Sequence, residues 1–114
     1  MSREFNQYLD EDGYPTEEAL RKIEAWGHIT DKDFVEFFEF LESIWHLKSF
    51  GWYSEEFNEG GRKGLRYCLS TAGWSGNESL IEAFQRNEYL WYYTWVSSRR
   101  GGHYKFEFYF EEEG

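Results

Sequence analysis

The residues with the clearest capacity for chemistry lie in one short stretch near the C-terminal end of the chain. This stretch reads Thr94-Trp95-Val96-Ser97-Ser98-Arg99-Arg100-Gly101-Gly102-His103-Tyr104. Two adjacent glycines between strand-forming residues predict a tight turn that joins two antiparallel strands. Such a turn places guanidinium groups, hydroxyls, an imidazole and a phenol on one hairpin tip. Guanidinium groups and hydroxyls are donors that suit a phosphate or a carboxylate.

The hairpin tip admits two interpretations. In the first, Arg99 and Arg100 neutralise an anion, and the glycines allow backbone N–H groups to approach it closely. In the second, Gly-Gly is an ordinary hairpin turn, and the arginines keep the end of the hairpin in water. The second interpretation accounts fully for the glycines, whereas the first accounts better for a Ser-Ser-Arg-Arg cluster beside ring-rich strands.

A second candidate is the loop Gly73-Trp74-Ser75-Gly76-Asn77-Glu78-Ser79, which leads into a predicted short helix. Free N–H groups at a helix start suit an anion, Trp74 can stack on a planar ligand, and Asn77 can recognise hydrogen-bonding edges. The alternative is plain capping by Ser75 or Asn77, which is the more frequent role. On the binding interpretation the loop and the hairpin tip form one pocket. Its ligand-binding residues are then Trp74, Ser75, Asn77, Ser97, Ser98, Arg99, Arg100, His103 and Tyr104.

The sequence contains no recognisable catalytic motif. Glu78 with His103 is a conceivable acid–base pair, and Ser97 or Ser98 a conceivable nucleophile, but no Gly-x-Ser-x-Gly, metal triad or phosphate-binding loop motif connects them. No Cys/His spacing indicates zinc. We therefore predict a non-catalytic protein without a cofactor or a metal.

The net charge of −10 is carried by the N-terminal half, because residues 1–60 hold 15 acidic and 5 basic residues, whereas residues 61–114 hold 7 of each. This field disfavours direct binding to nucleic acid. An acidic helix over residues 31–49 can instead mimic nucleic acid and occupy a basic groove on another protein. Its partner-binding residues would be Asp33, Glu36, Glu39 and Glu42. The alternative is that the acidity only keeps an aromatic-rich chain soluble.

Two N-terminal helices are predicted. Pro15-Thr16 followed by two glutamates marks the start of the first helix, and Gly27 closes it. Thr30 and Asp33 form a box-like arrangement at the start of the second. Apolar side chains then follow helical spacing from Phe34 to Trp45.

Strand patterns follow. A β-hairpin is predicted from Phe50 to Ser70, with its turn at Asn58-Glu59-Gly60-Gly61, and the short helix follows it. A ring-rich central strand is then predicted over residues 88–97, and a half-buried strand from Tyr104 to Phe110. The predicted fold is one α+β domain over residues 1–114. It has two N-terminal helices, then β-hairpin, helix and β-hairpin, which form a four-stranded, mainly antiparallel sheet. Residues 1–14 are expected to be a loosely ordered lead-in.

Aromatic residues make up 23% of the chain, more than a small core needs, so some of them are expected at an interface with another protein or with a second copy in a homo-oligomer. Cys68 is the only cysteine, which is typical of a reducing compartment. The sequence contains neither a leader pattern nor a long apolar run. We expect a cytoplasmic protein that does not enter a membrane.

The chain resembles a group of small uncharacterised proteins of bacteriophage and prophage genomes, mainly over residues 30–110. The resemblance rests on the loop Gly73–Ser79 and on the stretch Trp95–Tyr104. The resemblance implies a phage setting inside a bacterial cell, and no activity. Since small phage accessory proteins often interfere with host machinery, a counter-defence role is expected by analogy.

Overall fold

The computed structural model describes residues 7–27, 30–46 and 48–110, and it confirms the α+β class and the four-stranded antiparallel sheet. The elements in chain order are α1 (Glu17–Glu24), α2 (Asp31–Ser43), α3 (Lys48–Gly51), β1 (Trp52–Glu59), β2 (Arg62–Ser70), α4 (Ser75–Arg86), α5 (Glu88–Thr94), β3 (Trp95–Arg99) and β4 (His103–Tyr109). The strand order is β1-β2-β4-β3, and every neighbouring pair is antiparallel.

Threonine side chains start the first two helices. Thr16 caps α1, where its hydroxyl accepts from the N–H of Ala19. Thr30 and Asp33 form the capping box of α2, in which each side chain bonds the backbone N–H of the other residue. The prediction that Gly27 closes the first helix is wrong, because α1 ends at Glu24 and its C-cap is Ala25.

One face of the sheet meets the helices through stacked aromatic rings. Phe38 of α2 stacks on Tyr67 of β2 with ring centroids 4.0 Å apart, and Phe84 of α4 stacks on Phe106 of β4 at 4.8 Å. All four residues are buried. Burial of large apolar rings is the main source of stability for a core with few aliphatic residues.

The prediction of a central strand over residues 88–97 is wrong. Residues 88–94 form α5, and the strand that follows, β3, is short and lies at the edge of the sheet. Asn87 starts α5, since its Oδ1 accepts from the N–H of Leu90, while its Nδ2 donates to the carbonyls of Ile23 and Trp26. Leu90 and Thr94, one turn apart, are both buried. This anchoring to α1 outweighs the strand preference of the aromatic residues.

Other predicted boundaries also move. Phe50, expected in a strand, belongs to the short helix α3. Near the start of the chain, Leu9 and Pro15 form an antiparallel bridge, so the expected lead-in is ordered in part; residues 1–6 and the expected charged tail from Glu111 lie outside the described residues. Within the described ranges, no helix combines the length and apolarity that a bilayer span requires.

The other face of the sheet, called the open face below, carries the side chains that alternate with the core residues. None of them belongs to the hydrophobic core. They are Tyr53, Glu55, Phe57, Glu59, Arg62, Arg66, Cys68, Ser70, Ser97, Arg99, His103, Lys105, Glu107 and Tyr109. At the edge of this face, the pairing of β3 with β4 shifts register between Trp95 and Ser97, which leaves Val96 in a β-bulge.

Candidate functional site

Antiparallel register builds the candidate site at one end of the open face. Cys68 of β2, Lys105 of β4 and Ser97 of β3 are partners in one row across three strands. Ser70, His103 and Arg99 are partners in the adjacent row. Since residues two apart on a strand share a face, these two rows bring six polar side chains together.

A pocket of about 270 Å³ lies over the two rows. Its lining residues are Cys68, Leu69, Ser70, Ser97, Arg99, His103, Tyr104 and Lys105. The Ser70 Oγ and the His103 Nδ1 are hydrogen-bonded at 2.7 Å. Two cations, two hydroxyls and an imidazole therefore share one concave surface, an arrangement suited to an anion.

The carboxylates of the open face form their hydrogen bonds outside the lining of this pocket. Arg66 lies between two of them, at 2.7 Å from Glu55 and 2.7 Å from Glu107. The pKa of Glu55 is lowered first by its hydrogen bond from Arg66, and the charge of Lys105 lowers it further. The Tyr109 hydroxyl donates to Glu59 at 2.9 Å. By contrast, neither Arg99 nor Lys105 forms an ion pair with any residue that the structure describes. The pocket end of the face is cationic even though the whole chain is acidic.

The Arg66 network also changes the ionisation of its members. Hydrogen bonds from Arg66 and Tyr53 hold the pKa of the Glu55 carboxyl below its ordinary value. The hydrogen bonds with Glu107 and Glu55 raise the pKa of Arg66. The hydrogen bond to Glu55 raises the pKa of the Tyr53 hydroxyl. These groups are thus held in the charge states that bind one another at neutral pH.

The structure separates the predicted hairpin-tip residues. Ser97, Arg99, His103 and Tyr104 line the pocket. Arg100 lies in the exposed turn and does not line it. The Ser98 hydroxyl accepts from the Trp95 Nε1 at 2.8 Å, so it is engaged elsewhere.

The two glycines of the turn have a structural explanation. Gly101 and Gly102 have φ of +90° and +81°, which residues with a Cβ rarely adopt. A Cβ on Gly102 would also lie 2.2 Å from the Thr71 Oγ1. The Gly102 carbonyl in turn accepts from the N–H of Thr71 at 3.0 Å. The turn therefore packs on the chain that leaves β2.

The loop before α4 does not contribute to the pocket, contrary to the prediction of one shared site. Asn77 is fully buried and bonds the backbone of His46, so a ligand cannot reach it. Trp74 stacks on His46 at 4.0 Å and packs against Tyr14 at 4.5 Å, so its ring surfaces are occupied.

Neither Ser75 nor Asn77 caps α4. The N-cap is Trp74, and it makes no side-chain capping bond. Ser75 and Glu78 are exposed in the first turn of the helix. Glu78 is not among the lining residues of the pocket that holds His103. The ring nitrogen of His103 is bonded to Ser70 instead.

The acidic residues of α2 differ in what they contact. The Asp33 carboxylate serves the capping box, and Glu36 lies 3.8 Å from Lys32 in a surface ion pair. Glu39 is exposed and Glu42 is half-buried. Burial raises the pKa of Tyr67, and these two carboxylates add to the effect. The helix itself spans Asp31–Ser43, shorter than the predicted range.

Exposed rings are concentrated on α5 and β3. The exposed large side chains there are Tyr89, Tyr92, Tyr93, Trp95 and Val96, and Tyr92 is 77% exposed. Phe50 and Tyr53 are exposed as well. Trp52 is half-buried against Trp45.

Sequence reasoning missed Cys68, Ser70 and Lys105 as site residues. Each alternates with a core residue on a predicted strand, so their place on the solvent face could have been found from the period of two. What could not be found is that β2 pairs with β4, because this pairing joins residues more than 30 positions apart. That pairing alone puts Ser70 beside His103.

No family model matches the chain, and neither curated proteins nor solved structures include a significant match. Among the residues that the structure describes, no group of three or more His, Cys, Asp or Glu side chains is placed to hold a metal ion.

Proposed function

We propose that the chain is a non-catalytic binding protein that holds a small anionic, nucleotide-like ligand by its phosphate in the open-face pocket. One observation carries the proposal. Arg99 and Lys105, without ion-pair partners among the described residues, face the same pocket as Ser70, Ser97 and His103. A cation without a salt bridge to the protein favours binding of an external anion. This holds more strongly for Arg99 than for Lys105, whose charge also acts on Glu55.

The types and positions of the donors support phosphate in particular. Arg99 supplies a planar fork and Lys105 a point charge, and both recur in phosphate sites. They stand in adjacent rows of the sheet, on neighbouring strands. The hydroxyls of Ser70 and Ser97 stand in the same two rows and add neutral donors. The sheet fixes the backbone of every one of these residues, which reduces the ordering cost of binding.

The resemblance to small phage proteins gives the proposal a biological form. A phage protein that holds a phosphorylated small molecule of its host can act as a counter-defence factor by withdrawing that molecule. It would act in the cytoplasm of the host bacterial cell. The support for this setting is the resemblance, and the support for the ligand chemistry is the pocket.

Calorimetric titration with ribose 5-phosphate tests the proposal, and the chain offers a matched control. Arg99→Ala removes a pocket cation, whereas Arg100→Ala removes the neighbouring exposed cation outside the pocket. We expect Arg99→Ala to weaken binding by about tenfold or more, as for a lost charge-assisted hydrogen bond, and Arg100→Ala to weaken it little. Both variants are surface changes and should keep the Tm of the parent protein.

Two results would reject the proposal. One is the absence of binding of ribose 5-phosphate, pyrophosphate and adenosine 5′-monophosphate at low salt. The other is an equal loss of affinity in the Arg99 and Arg100 variants, which would indicate attraction by general charge rather than by the pocket.

The alternative is an acidic inhibitor that mimics nucleic acid toward a host protein. The charge of −10 and its concentration in residues 1–60 favour it. The contacts of α2 support it less, because Asp33 is used in the capping box and Glu36 is paired with Lys32. Glu39 and Glu42 are the members of the predicted set on which this alternative now depends.

A further inference from the structure

We infer that the open-face pocket, if it binds phosphate as proposed, takes a 5′-mononucleotide whose base stacks on Tyr53. The inference rests on the proposed function and adds the second half of the ligand. It starts from the row that holds Lys105. Cys68 pairs with Lys105 on one side and with Tyr53 of β1 on the other. The full row across the sheet is therefore Tyr53, Cys68, Lys105 and Ser97.

Tyr53 offers a ring that is both accessible and fixed. Its side chain is 55% exposed on the open face. Its hydroxyl donates to the Glu55 Oε1 at 2.9 Å, and the other oxygen of Glu55 accepts from Arg66. Arg66 is held in turn by Glu107. A chain of hydrogen bonds across three strands thus positions the ring before any ligand arrives, which lowers the cost of stacking on it.

The spacing suits a mononucleotide. Tyr53 and Lys105 are two strands apart, a separation of about 9 to 10 Å across a sheet. A 5′-mononucleotide spans a comparable distance between its phosphate and its base. The residue between them is Cys68, whose small side chain leaves room for a sugar above the sheet.

The aromatic residue predicted for this role cannot perform it. Trp74 stacks on His46 and packs against Tyr14. Tyr53 instead donates a hydrogen bond from its hydroxyl, and its ring stacks on no other ring in the part of the chain that the structure describes. The net charge of −10 also favours a mononucleotide over an oligonucleotide, because each additional phosphate would enter a negative field.

The test compares adenosine 5′-monophosphate with ribose 5-phosphate, which lacks the base, in the parent protein and in Tyr53→Leu. We expect the parent to bind the nucleotide at least about fivefold more tightly, as a stacked base contributes, and Tyr53→Leu to bind the two alike. Tyr53→Phe keeps the ring but loses the hydrogen bond to Glu55 that positions it, so it should keep most of the preference. Tyr92→Leu, which removes an exposed tyrosine outside the pocket, should keep it too.

The outcomes separate this inference from the proposal beneath it. Equal affinity of the parent for both compounds overturns the base subsite and leaves phosphate binding intact. Binding of neither compound rejects both. A preference that persists in Tyr53→Leu overturns the role of Tyr53. Tighter binding of a short single-stranded oligonucleotide than of the mononucleotide overturns the size of the ligand.

Discussion

The side-chain amide of Asn77 bonds both backbone polar groups of His46. Its Oδ1 accepts from the His46 N–H at 2.9 Å, and its Nδ2 donates to the His46 carbonyl at 3.0 Å. The two residues are 31 positions apart, and Asn77 is fully buried. The side-chain amide thus pairs with the backbone as a strand would, and it joins the start of α4 to the segment after α2.

Replacement of Asn77 should therefore destabilise the fold. Asn77→Ala leaves two backbone groups of His46 without their partner, and each buried unsatisfied group costs about 1–3 kcal/mol. We expect a loss of about 3 kcal/mol in the free energy of unfolding, measured in urea. Asn58→Ala, at an exposed position of β1, is the control and should change it by less than about 0.5 kcal/mol. A small effect in Asn77→Ala would mean that the amide bonds contribute little.

Gly64 should not tolerate a side chain. A Cβ there would lie 2.4 Å from the Phe108 carbonyl oxygen and 2.9 Å from the Phe57 ring, which packs over the glycine. Since backbone on the neighbouring strand must move, Gly64→Ala should lower the free energy of unfolding by about 1–3 kcal/mol. Gly27→Ala has nothing within 4 Å and no positive φ, so it should be neutral or slightly stabilising. Thermal unfolding of the two variants side by side decides the point.

Tyr67 should make the stability fall at high pH. Burial, with a contribution from Glu39 and Glu42, raises its pKa to about 12 from an ordinary value of 10.0. The unfolded chain then ionises Tyr67 while the folded chain keeps it neutral, so its contribution is complete below pH 10 and is lost as the pH rises toward 12.

The matched variant is Tyr67→Phe, which keeps the ring that stacks on Phe38. Between pH 9 and about 11.5, the wild type should lose up to about 1.4 kcal/mol per pH unit relative to this variant. Urea unfolding across that range measures the difference. Parallel pH curves for the two proteins would contradict the raised pKa.

Charge reversal on α2 distinguishes the pocket from the acidic-inhibitor alternative. Glu39→Lys combined with Glu42→Lys changes the helix side of the sheet, whereas the pocket is on the open face. We expect the affinity for ribose 5-phosphate at 0.15 M salt to change by less than about threefold, because salt screens the charges of α2 from a ligand on the opposite face of the sheet. On the proposed counter-defence role, an infection assay in a host with an active defence system should likewise show retained activity. Loss of activity with intact phosphate binding would favour the inhibitor.

Local signals in the sequence predicted much of the architecture. The capping box of α2 was predictable because its two residues, Thr30 and Asp33, are three positions apart and need no distant partner. The period of two in β4 was predictable for the same reason. The class and the antiparallel sheet followed from these short-range patterns.

Contacts between distant residues account for what was missed. The rings of residues 88–94 suggest a strand. The helix is favoured instead by the Asn87 cap, by the bonds from Asn87 to the end of α1 and by the burial of Leu90 and Thr94. The sequence around Asn77 predicted a capping or ligand-binding residue. Neither the residues around Asn77 nor those around His46 indicate that the two are hydrogen-bonded. The pocket depends on the pairing of β2 with β4, so half of its polar residues were invisible to motif reasoning.

The β-bulge at Val96 also affects how copies of the chain meet. An outer strand with a straight run of free N–H and C=O groups recruits strands from other chains, and exposed rings beside it strengthen that tendency. Here the run is broken one residue into β3, next to Trp95. The bulge bends β3, so this edge does not present the flat, regular strand on which cross-β stacking depends. At this edge, the exposed aromatic surface therefore lies beside an interrupted strand and not beside a straight one.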